Sequence, residues 1–224
     1  MDKIRVIEVK ESVFKNNNEH AALLRKKLKE RGTYLLNVMS SPGSGKTTTL
    51  VNVLGRLKER FNIAVMEADI DSDVDARTIA NSGIDSIQLH TGGMCHLDAS
   101  MTEQGIDNLN NKNYDLIILE NVGNLVCPAE FDTGSIKNMN ILSVPEGDDK
   151  PLKYPLMFEV CDLVVINKID VLPYFDFDVE KAKANILMRN KNAKIFLISA
   201  KTGEGVPELV EYLANEIIRF KTEE

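Results

Sequence analysis

The chain has 224 residues, of which 43% are hydrophobic and 27% are charged; this composition is typical of globular domains and excludes a disordered or collagen-like chain. A chain of this length can bury the core of one α/β domain, so we expect a single domain over residues 1–224. The net charge of -7 argues against broad attraction to nucleic acid or to an anionic membrane.

The cysteine content predicts a reducing compartment. The three cysteines, Cys95, Cys127 and Cys161, are odd in number, and the sequence before them is unlike a secretory leader. We therefore expect reduced thiols in a cytoplasmic protein rather than disulfides. The apolar runs are far shorter than the roughly 20 residues of a membrane span, so we expect no membrane segment.

The first predicted element is an amphipathic helix over residues 19–31. Leu23, Leu24 and Leu28 form its apolar stripe, and Asn16 to Asn18 are its candidate N-caps. The pattern indicates a helix that serves mainly for packing.

Short apolar runs rich in branched residues then predict seven strands, which are 34–39, 63–67, 86–90, 115–120, 141–144, 162–167 and 194–199. Segments long enough for crossover helices separate most of them. This alternation predicts the P-loop NTPase class of α/β fold, a doubly wound, mainly parallel seven-stranded sheet flanked by helices. A last helix is expected from Val206, with Leu209, Leu213 and Ile217 as its buried stripe. The most irregular segment is 146–155.

A phosphate-binding loop follows the first predicted strand and opens a helix, which is the context that such a loop requires. Its sequence is SSPGSGKTT, residues 40–48, with serine at position 40 where the general pattern has glycine. Lys46 would stabilise the β and γ phosphates during hydrolysis, and Thr47 would offer its hydroxyl to Mg²⁺. The other expected nucleotide-binding residues of the loop are Gly43, Ser44, Gly45 and Thr48.

Acidic residues follow the second predicted strand, at the sheet edge where ligands gather. They are Glu67, Asp69, Asp71, Asp73 and Asp75. Asp69 and Asp75 are the preferred catalytic candidates, and Asp69 is also a candidate Mg²⁺ ligand. The alternative for any one of these carboxylates is a solvated acidic turn.

A γ-phosphate sensor is expected after the fourth predicted strand, where GTPases usually carry Asp-x-x-Gly. Here Glu120 replaces the aspartate as candidate catalytic residue and Mg²⁺ ligand, and Gly123 stands at the glycine position. Asn124 follows, where many GTPases have a longer, water-orienting glutamine. We therefore expect slow unassisted hydrolysis, with Arg77 as a candidate helper.

Guanine selectivity is predicted by residues 167–170, Asn-Lys-Ile-Asp, at the end of the sixth strand. The Asp170 carboxylate can accept hydrogen bonds from both N1–H and the exocyclic amine of guanine, and adenine offers no matching donor pair. Lys168 would stack its aliphatic stem on the base, and Asn167 completes the motif. A further loop, Ser199, Ala200 and Lys201, resembles the GTPase segment whose backbone supports the base.

A metal site is predicted from the adjacent pair Cys95 and His96 together with Cys127. Thiolate and imidazole ligands suit Ni²⁺ or Zn²⁺, and the sequence leaves both metals open. Three ligands do not fill a tetrahedral shell, but two chains related by a two-fold axis can supply a complete set. The alternative is two packed cysteines beside a surface histidine.

The remaining cysteine and histidines are assigned structural roles. Cys161 lies on the approach to a buried strand, and neither His20 nor His90 has an apparent partner in the sequence.

Five segments in this order, SSPGSGKTT, TGGMCHLDA, ENVGNLVCPA, EGDDKPLKYP and NKID, resemble the HypB family of hydrogenase nickel-incorporation GTPases, which belongs to the SIMIBI class of P-loop GTPases. The resemblance covers nearly the whole chain. It implies a GTP-dependent homodimer whose interface holds Cys95, His96 and Cys127 as metal ligands. It also implies nickel delivery to the [NiFe]-hydrogenase large subunit precursor and the nickel chaperone HypA as a partner.

Two features refine this expectation. Some HypB proteins carry a cysteine-rich or histidine-rich stretch near the amino terminus, and its absence here argues against nickel storage. Cys127 lies four residues after Gly123, so ordering of the γ-phosphate sensor should move a metal ligand. Metal and nucleotide affinities should then be coupled reciprocally.

Three alternatives remain at this stage. One is a urease accessory GTPase of the UreG type, although its metal motif is usually Cys-Pro-His. A P-loop small-molecule kinase is another, although Asp170 and Lys168 argue against ATP. The third is a signalling GTPase with structural zinc. Lys153 could reach nucleotide across a dimer, but an ordinary solvated loop lysine is the preferred interpretation.

Overall fold

The computed structural model describes residues 9–69, 83–110 and 113–222. In these ranges seven strands form one sheet in the order β3-β2-β4-β1-β5-β6-β7, and every neighbouring pair is parallel. The strands are β1 (Tyr34–Ser40), β2 (Ile63–Asp69), β3 (Asp85–His90), β4 (Leu116–Glu120), β5 (Lys137–Ser143), β6 (Leu163–Asn167) and β7 (Lys194–Leu197). The predicted doubly wound sheet of a P-loop NTPase is confirmed.

Helices flank the sheet on both faces. They are α1 (Val9–Arg31), α2 (Lys46–Leu57), α3 (Ala99–Asp107), α4 (Cys127–Glu130), α5 (Lys150–Lys153), α6 (Pro155–Glu159), α7 (Val179–Arg189) and α8 (Val206–Thr222). Short 3-10 turns cover Val144–Glu146 and Ile169–Tyr174. Among the described helices, none combines the length and apolar character needed to cross a bilayer.

The central strand β1 is buried on both faces, because helices pack against each of them. Leu36 and Val38 belong to the apolar cluster that includes α2 and α8, and Leu35 belongs to the cluster formed with α1 and α3. A third cluster joins Met39 to β6, α6 and α7. The loop after β1 therefore starts from a strand that is buried along its whole length.

Helix α1 differs from its prediction at the amino end. It begins at Val9 rather than near residue 19, so Asn16 to Asn18 lie inside the helix and do not cap it. The buried stripe is Ala21, Leu24 and Leu28, whereas Leu23 is 61% exposed. Polar residues before position 19 concealed the first turns of the helix; one of them, Asn17, is buried through hydrogen bonds to distant segments.

Strand β5 also begins earlier than predicted, at Lys137 instead of residue 141. Polar side chains interrupt the apolar pattern there, but two of them form hydrogen bonds with the neighbouring strand β1. Asn37 Nδ2 donates to Asn138 Oδ1 at 3.0 Å, and Asn140 Nδ2 donates to the Met39 carbonyl at 3.4 Å. The segment 146–155, predicted to be irregular, contains α5 and the start of α6. Strand β7 is two residues shorter than predicted.

Candidate nucleotide site and metal centre

The phosphate-binding loop joins the end of β1 to the start of α2. Gly43 and Gly45 have φ angles of 73° and 94°, in the left-handed region that favours glycine. A Cβ atom at Gly45 would lie 2.6 Å from Asn167 Nδ2. Glycine is therefore required there both by backbone conformation and by the close approach of the guanine-motif loop.

The polar groups of this loop fit a nucleotide phosphate. Lys46 Nζ donates to Ser40 Oγ at 3.1 Å, so the serine that departs from the general pattern contacts the lysine predicted to be catalytic. Ser44 is 1% exposed, and its Oγ has no hydrogen-bond partner within the described ranges. A buried hydroxyl without a partner is costly, and a phosphate oxygen would satisfy it. Thr47 lies in the first turn of α2.

A cavity of about 200 Å³ lies beside this loop, at the position expected for the base. It is lined by Gly45, Thr48, Asn167, Lys168, Asp170, Val171, Ala200 and Lys201. Ser199 Oγ donates to Asp170 Oδ1 at 2.7 Å, which orients the carboxylate proposed to bind guanine. The structure thus brings the predicted base-binding residues together from loops that follow β6 and β7.

The guanine motif is tied to the phosphate loop by side-chain hydrogen bonds. Asn167 Nδ2 donates to the Ser44 carbonyl at 2.9 Å, and Asn167 Oδ1 accepts from the Ala200 amide at 3.1 Å. Lys168 has a left-handed φ of 64° and donates from Nζ to the Gly43 carbonyl at 2.6 Å. A single buried asparagine and its neighbour therefore connect all three nucleotide loops.

Asn52 is a supporting residue that no motif marked. Its Nδ2 donates to the Ala200 carbonyl at 2.8 Å and to the Thr48 carbonyl at 3.1 Å. It therefore links α2 to the loop beneath the base. Its position in the interior of a helix carries no distinguishing signal in the sequence.

Acidic residues lie at the carboxyl ends of β4, which neighbours β1, and of β2, which neighbours β4. Glu120 is 2% exposed, and its register partner on β2 is Glu67, which is equally buried. Asp69 is the last residue of β2. The predicted Mg²⁺ residues Thr47, Asp69 and Glu120 thus follow or end adjacent strands. The strand register adds Glu67, which was not among the preferred candidates.

Asp75 and Arg77, with Asp71 and Asp73, lie outside the described residues.

The expected γ-phosphate sensor lies against the phosphate loop. A Cβ atom at Gly123 would be 3.4 Å from Pro42 Cγ and 3.6 Å from Lys46 Nζ. Asn124 Oδ1 accepts from the Val126 amide at 2.8 Å, immediately before α4 begins at Cys127. The segment between the sensor glycine and the cysteine is therefore short and internally bonded.

The structure brings Cys95 and Cys127 together. A hydrogen bond to Cys127 is the main reason that the pKa of Cys95 is raised. His96 Nδ1 lies 4.0 Å from Cys95 Sγ, and the imidazole stacks on Phe131 with ring centroids 3.7 Å apart. Burial lowers the pKa of His96 and favours the neutral imidazole that binds metals.

The three donors suit a soft divalent metal but do not enclose one. Over residues 9–69, 83–110 and 113–222, no cluster of three or more His, Cys, Asp or Glu side chains has metal-binding geometry. The two thiols and the neighbouring imidazole therefore form at most part of a coordination shell within one chain.

The cysteine and the two histidines that were assigned structural roles lie in different surroundings. Cys161 is fully buried beside Met157, and burial raises the pKa of its thiol; His90 ends β3 at the surface. The expectation that His20 has no partner is wrong, because its Nε2 lies 2.5 Å from Glu103 Oε2.

Lys153 forms an exposed ion pair with Asp149 one helical turn away.

Comparison with known proteins agrees with this geometry. The family described as "CobW/HypB/UreG, nucleotide-binding domain" matches residues 34–197, from the start of β1 to the end of β7. The chain belongs to the CobW/HypB/UreG family. Within it the relatives are HypB proteins, so the predicted resemblance to HypB, a SIMIBI-class P-loop GTPase, is confirmed. Helices α1 and α8 lie outside the matched domain.

Two HypB relatives and one solved structure illustrate the match. The hydrogenase maturation factor HypB of Rhizobium leguminosarum bv. viciae is 42% identical over an alignment that covers 99% of this chain and 75% of that protein. The HypB of Escherichia coli K12 is 44% identical over 96% of this chain and 74% of its own. The crystal structure of HypB from Helicobacter pylori in complex with nickel has a TM-score of 0.86 and 39% identity, and the match covers 93% of this chain and 99% of that chain.

Proposed function

We propose that this HypB-family chain is a GTP-hydrolysing nickel metallochaperone for [NiFe]-hydrogenase maturation. The observation that best supports this proposal is the short path from nucleotide to thiols. Gly123 lies against the phosphate loop, and the free thiol of Cys127, four residues later, is the hydrogen-bond partner that raises the pKa of Cys95. The HypB relatives of Rhizobium leguminosarum and Escherichia coli are hydrogenase maturation factors, and the HypB of Helicobacter pylori has been solved in complex with nickel.

The nucleotide site supports GTP rather than ATP. Asp170 is held by Ser199 at the cavity beside the phosphate loop, where its second oxygen and Oδ1 can together face the two donors of guanine. Lys168 is anchored on the phosphate loop, so its aliphatic stem lies along the same cavity. Binding of adenine would place a carboxylate against a base edge that offers no donor pair.

Hydrolysis proceeds through charge stabilisation by this chain's own residues. Lys46 moves its ammonium from Ser40 Oγ onto the phosphates, and Thr47 with Asp69 and Glu120 would hold Mg²⁺. Mg²⁺ would neutralise charge on the β and γ phosphates. Asn124 is occupied by the Val126 amide, so it is poorly placed to orient water. We expect an unassisted rate on the order of the 10⁻⁴ s⁻¹ known for Ras.

Nickel is the cargo, bound by Cys95, His96 and Cys127. A second copy of the chain supplies the missing ligands when GTP brings two protomers together, and zinc competes for the same donors. By the family resemblance, the nickel chaperone HypA is a partner, and the precursor of the hydrogenase large subunit receives the metal. Ordering of Gly123 around the γ-phosphate shifts Cys127, so hydrolysis changes nickel affinity.

The test of nucleotide identity is a change of base preference. In Asp170→Asn the amide offers a donor where the carboxylate offered an acceptor, so the variant should lose GTP affinity and gain affinity for xanthosine triphosphate. Isothermal titration with GTP, XTP and ATP measures both changes. Asp176→Asn, at an exposed position, is the matched control. Unchanged GTP selectivity in Asp170→Asn would refute guanine recognition by this residue.

The test of metal coupling compares nickel affinity with GDP and with a nonhydrolysable GTP analogue, alongside sizing by light scattering. We expect tighter binding and a dimer only with the analogue, and loss of the nickel response in Cys127→Ala. Equal nickel affinities in both nucleotide states would refute the coupling.

A further inference from the structure

A buried asparagine of α1 joins the two segments that carry the proposed metal ligands. Asn17 is 8% exposed. Its Oδ1 accepts from the Ala99 amide at 2.9 Å, and its Nδ2 donates to the Asp132 carbonyl at 2.8 Å. Ala99 is three residues after His96, and Asp132 is five residues after Cys127. One side chain therefore spans the distance between the two ligand segments.

The chemistry of this bridge requires an amide. One of its groups must accept from a backbone N–H and the other must donate to a backbone carbonyl, a combination that asparagine provides and aspartate does not. Because the bridge is buried, loss of either bond leaves a backbone polar group without its partner. The asparagine thus fixes the relative position of the segments and does more than fill space.

Further contacts of α1 hold the same two segments. Phe131 stacks on His96 and also contacts Phe14 of α1, with ring centroids 4.9 Å apart. Leu24 packs so closely on Gly134 that a Cβ atom there would lie 2.7 Å from Leu24 Cδ2. The helix is therefore fitted closely to the chain that follows Cys127.

Arg25 reinforces this fit. Its Nε donates to the Ser135 carbonyl at 2.8 Å, and its guanidinium pairs with Asp132. The segment bridged by Asn17 is thus held by α1 on both sides of the bridge.

We propose that Asn17 is a positioning residue of the metal site, which holds the Cys95 and His96 segment in register with the Cys127 segment. The inference rests on the proposed metal role of these residues. It assigns a function to α1, which lies outside the matched nucleotide-binding domain. Because the base cavity is formed by α2 and the loops after β6 and β7, Asn17 should affect the metal site and leave GDP binding unchanged.

The experiment uses the full chain with Asn17→Asp and Asn17→Leu, and with Asn16→Ala as an exposed control on the same helix. Nickel affinity is measured by competition with a chelator and by the thiolate-to-nickel absorption band. Changing a residue that orients metal ligands typically lowers the metal affinity 10- to 100-fold, so we expect a loss of nickel affinity of about that size in both Asn17 variants. GDP affinity should stay within about twofold, since the sites are separate.

A second readout needs no nickel. Because Asn17 keeps the two thiols in contact, wild-type protein treated with diamide should form the Cys95–Cys127 disulfide faster than either variant, as measured by mass spectrometry of peptides.

The outcomes separate the two proposals. Nickel affinity and disulfide rate equal to those of Asn16→Ala would overturn the positioning role. Equal losses of nickel and GDP affinity would also overturn it, because they would indicate general unfolding. If wild-type protein binds no nickel but the disulfide rate still depends on Asn17, the positioning geometry stands and the nickel function fails.

Discussion

Replacement of Asn167 by alanine should destabilise the domain and weaken nucleotide binding together. The side chain is 1% exposed and makes two hydrogen bonds, one to the Ser44 carbonyl and one from the Ala200 amide. Each such bond contributes about 0.5–1.5 kcal/mol, so their loss should lower the free energy of unfolding by about 1–3 kcal/mol. For a domain of this size, a loss of about 2 kcal/mol lowers Tm by roughly 4–8 °C.

The same bonds hold the phosphate loop against the loop beneath the base. When they are absent, nucleotide must order both loops, and a coupling of about 1–3 kcal/mol reduces GDP affinity by roughly 5- to 150-fold. The variant should therefore bind GDP more weakly while its β-sheet stays folded.

Calorimetry of the Asn167→Ala variant, in scanning and titration modes, measures both quantities. Asn192→Ala is the matched control, because Asn192 is exposed and its truncation should change stability by no more than about 0.5 kcal/mol. The reasoning is refuted if Asn167→Ala matches Asn192→Ala in both Tm and GDP affinity. A lower Tm with unchanged GDP affinity would show that the bonds support the fold but not the nucleotide loops.

Two further predictions concern stability. A hydrogen bond from Lys27 lowers the pKa of Glu103 in the folded protein. The stabilisation from this carboxylate is therefore fully present above the unfolded-state pKa of about 4.3, and it is lost as the pH falls through the lower folded-state pKa. Glu103→Gln should thus cost about 0.5–1 kcal/mol at pH 7 and almost nothing near pH 2, by urea titration. Gly205→Ala should cost about 3 kcal/mol or more, because its Cβ would lie 1.9 Å from the Leu197 carbonyl oxygen. Gly203→Ala, with left-handed φ but more space, should cost only about 1–2 kcal/mol; equal losses would contradict the steric argument.

The metal centre illustrates a limit of motif analysis. Cys95 and Cys127 were identified by residue type and by spacing from a glycine, and the fold places their thiols in contact. The stacking of His96 on Phe131 and the bridge by Asn17 had no sequence signal. The bridge depends on a helix more than 80 residues away along the chain, and the ring stack joins two separate segments. Spacing cannot reveal such contacts.

Polar residues account for most of the differences between prediction and structure. The amino end of α1 and the start of β5 were missed because asparagine and lysine interrupt the apolar periodicity on which such predictions depend. In the folded chain Asn17, Asn138 and Asn140 exchange water for specific partners on distant segments. Their cost of burial is offset only once those partners are assembled.

The sequence by itself determined the parallel α/β class, the phosphate loop, the guanine motif and the cysteines, because apolar periodicity and motif spacing are local properties of the chain. Only the tertiary structure decided which loops are bonded together, that Glu67 lies beside Glu120, and that α1 joins the ligand segments. The physical reason is that strand order and side-chain pairing depend on closing long stretches of chain against one another. The free energy of those contacts comes from burial and hydrogen bonds between residues that are remote in sequence.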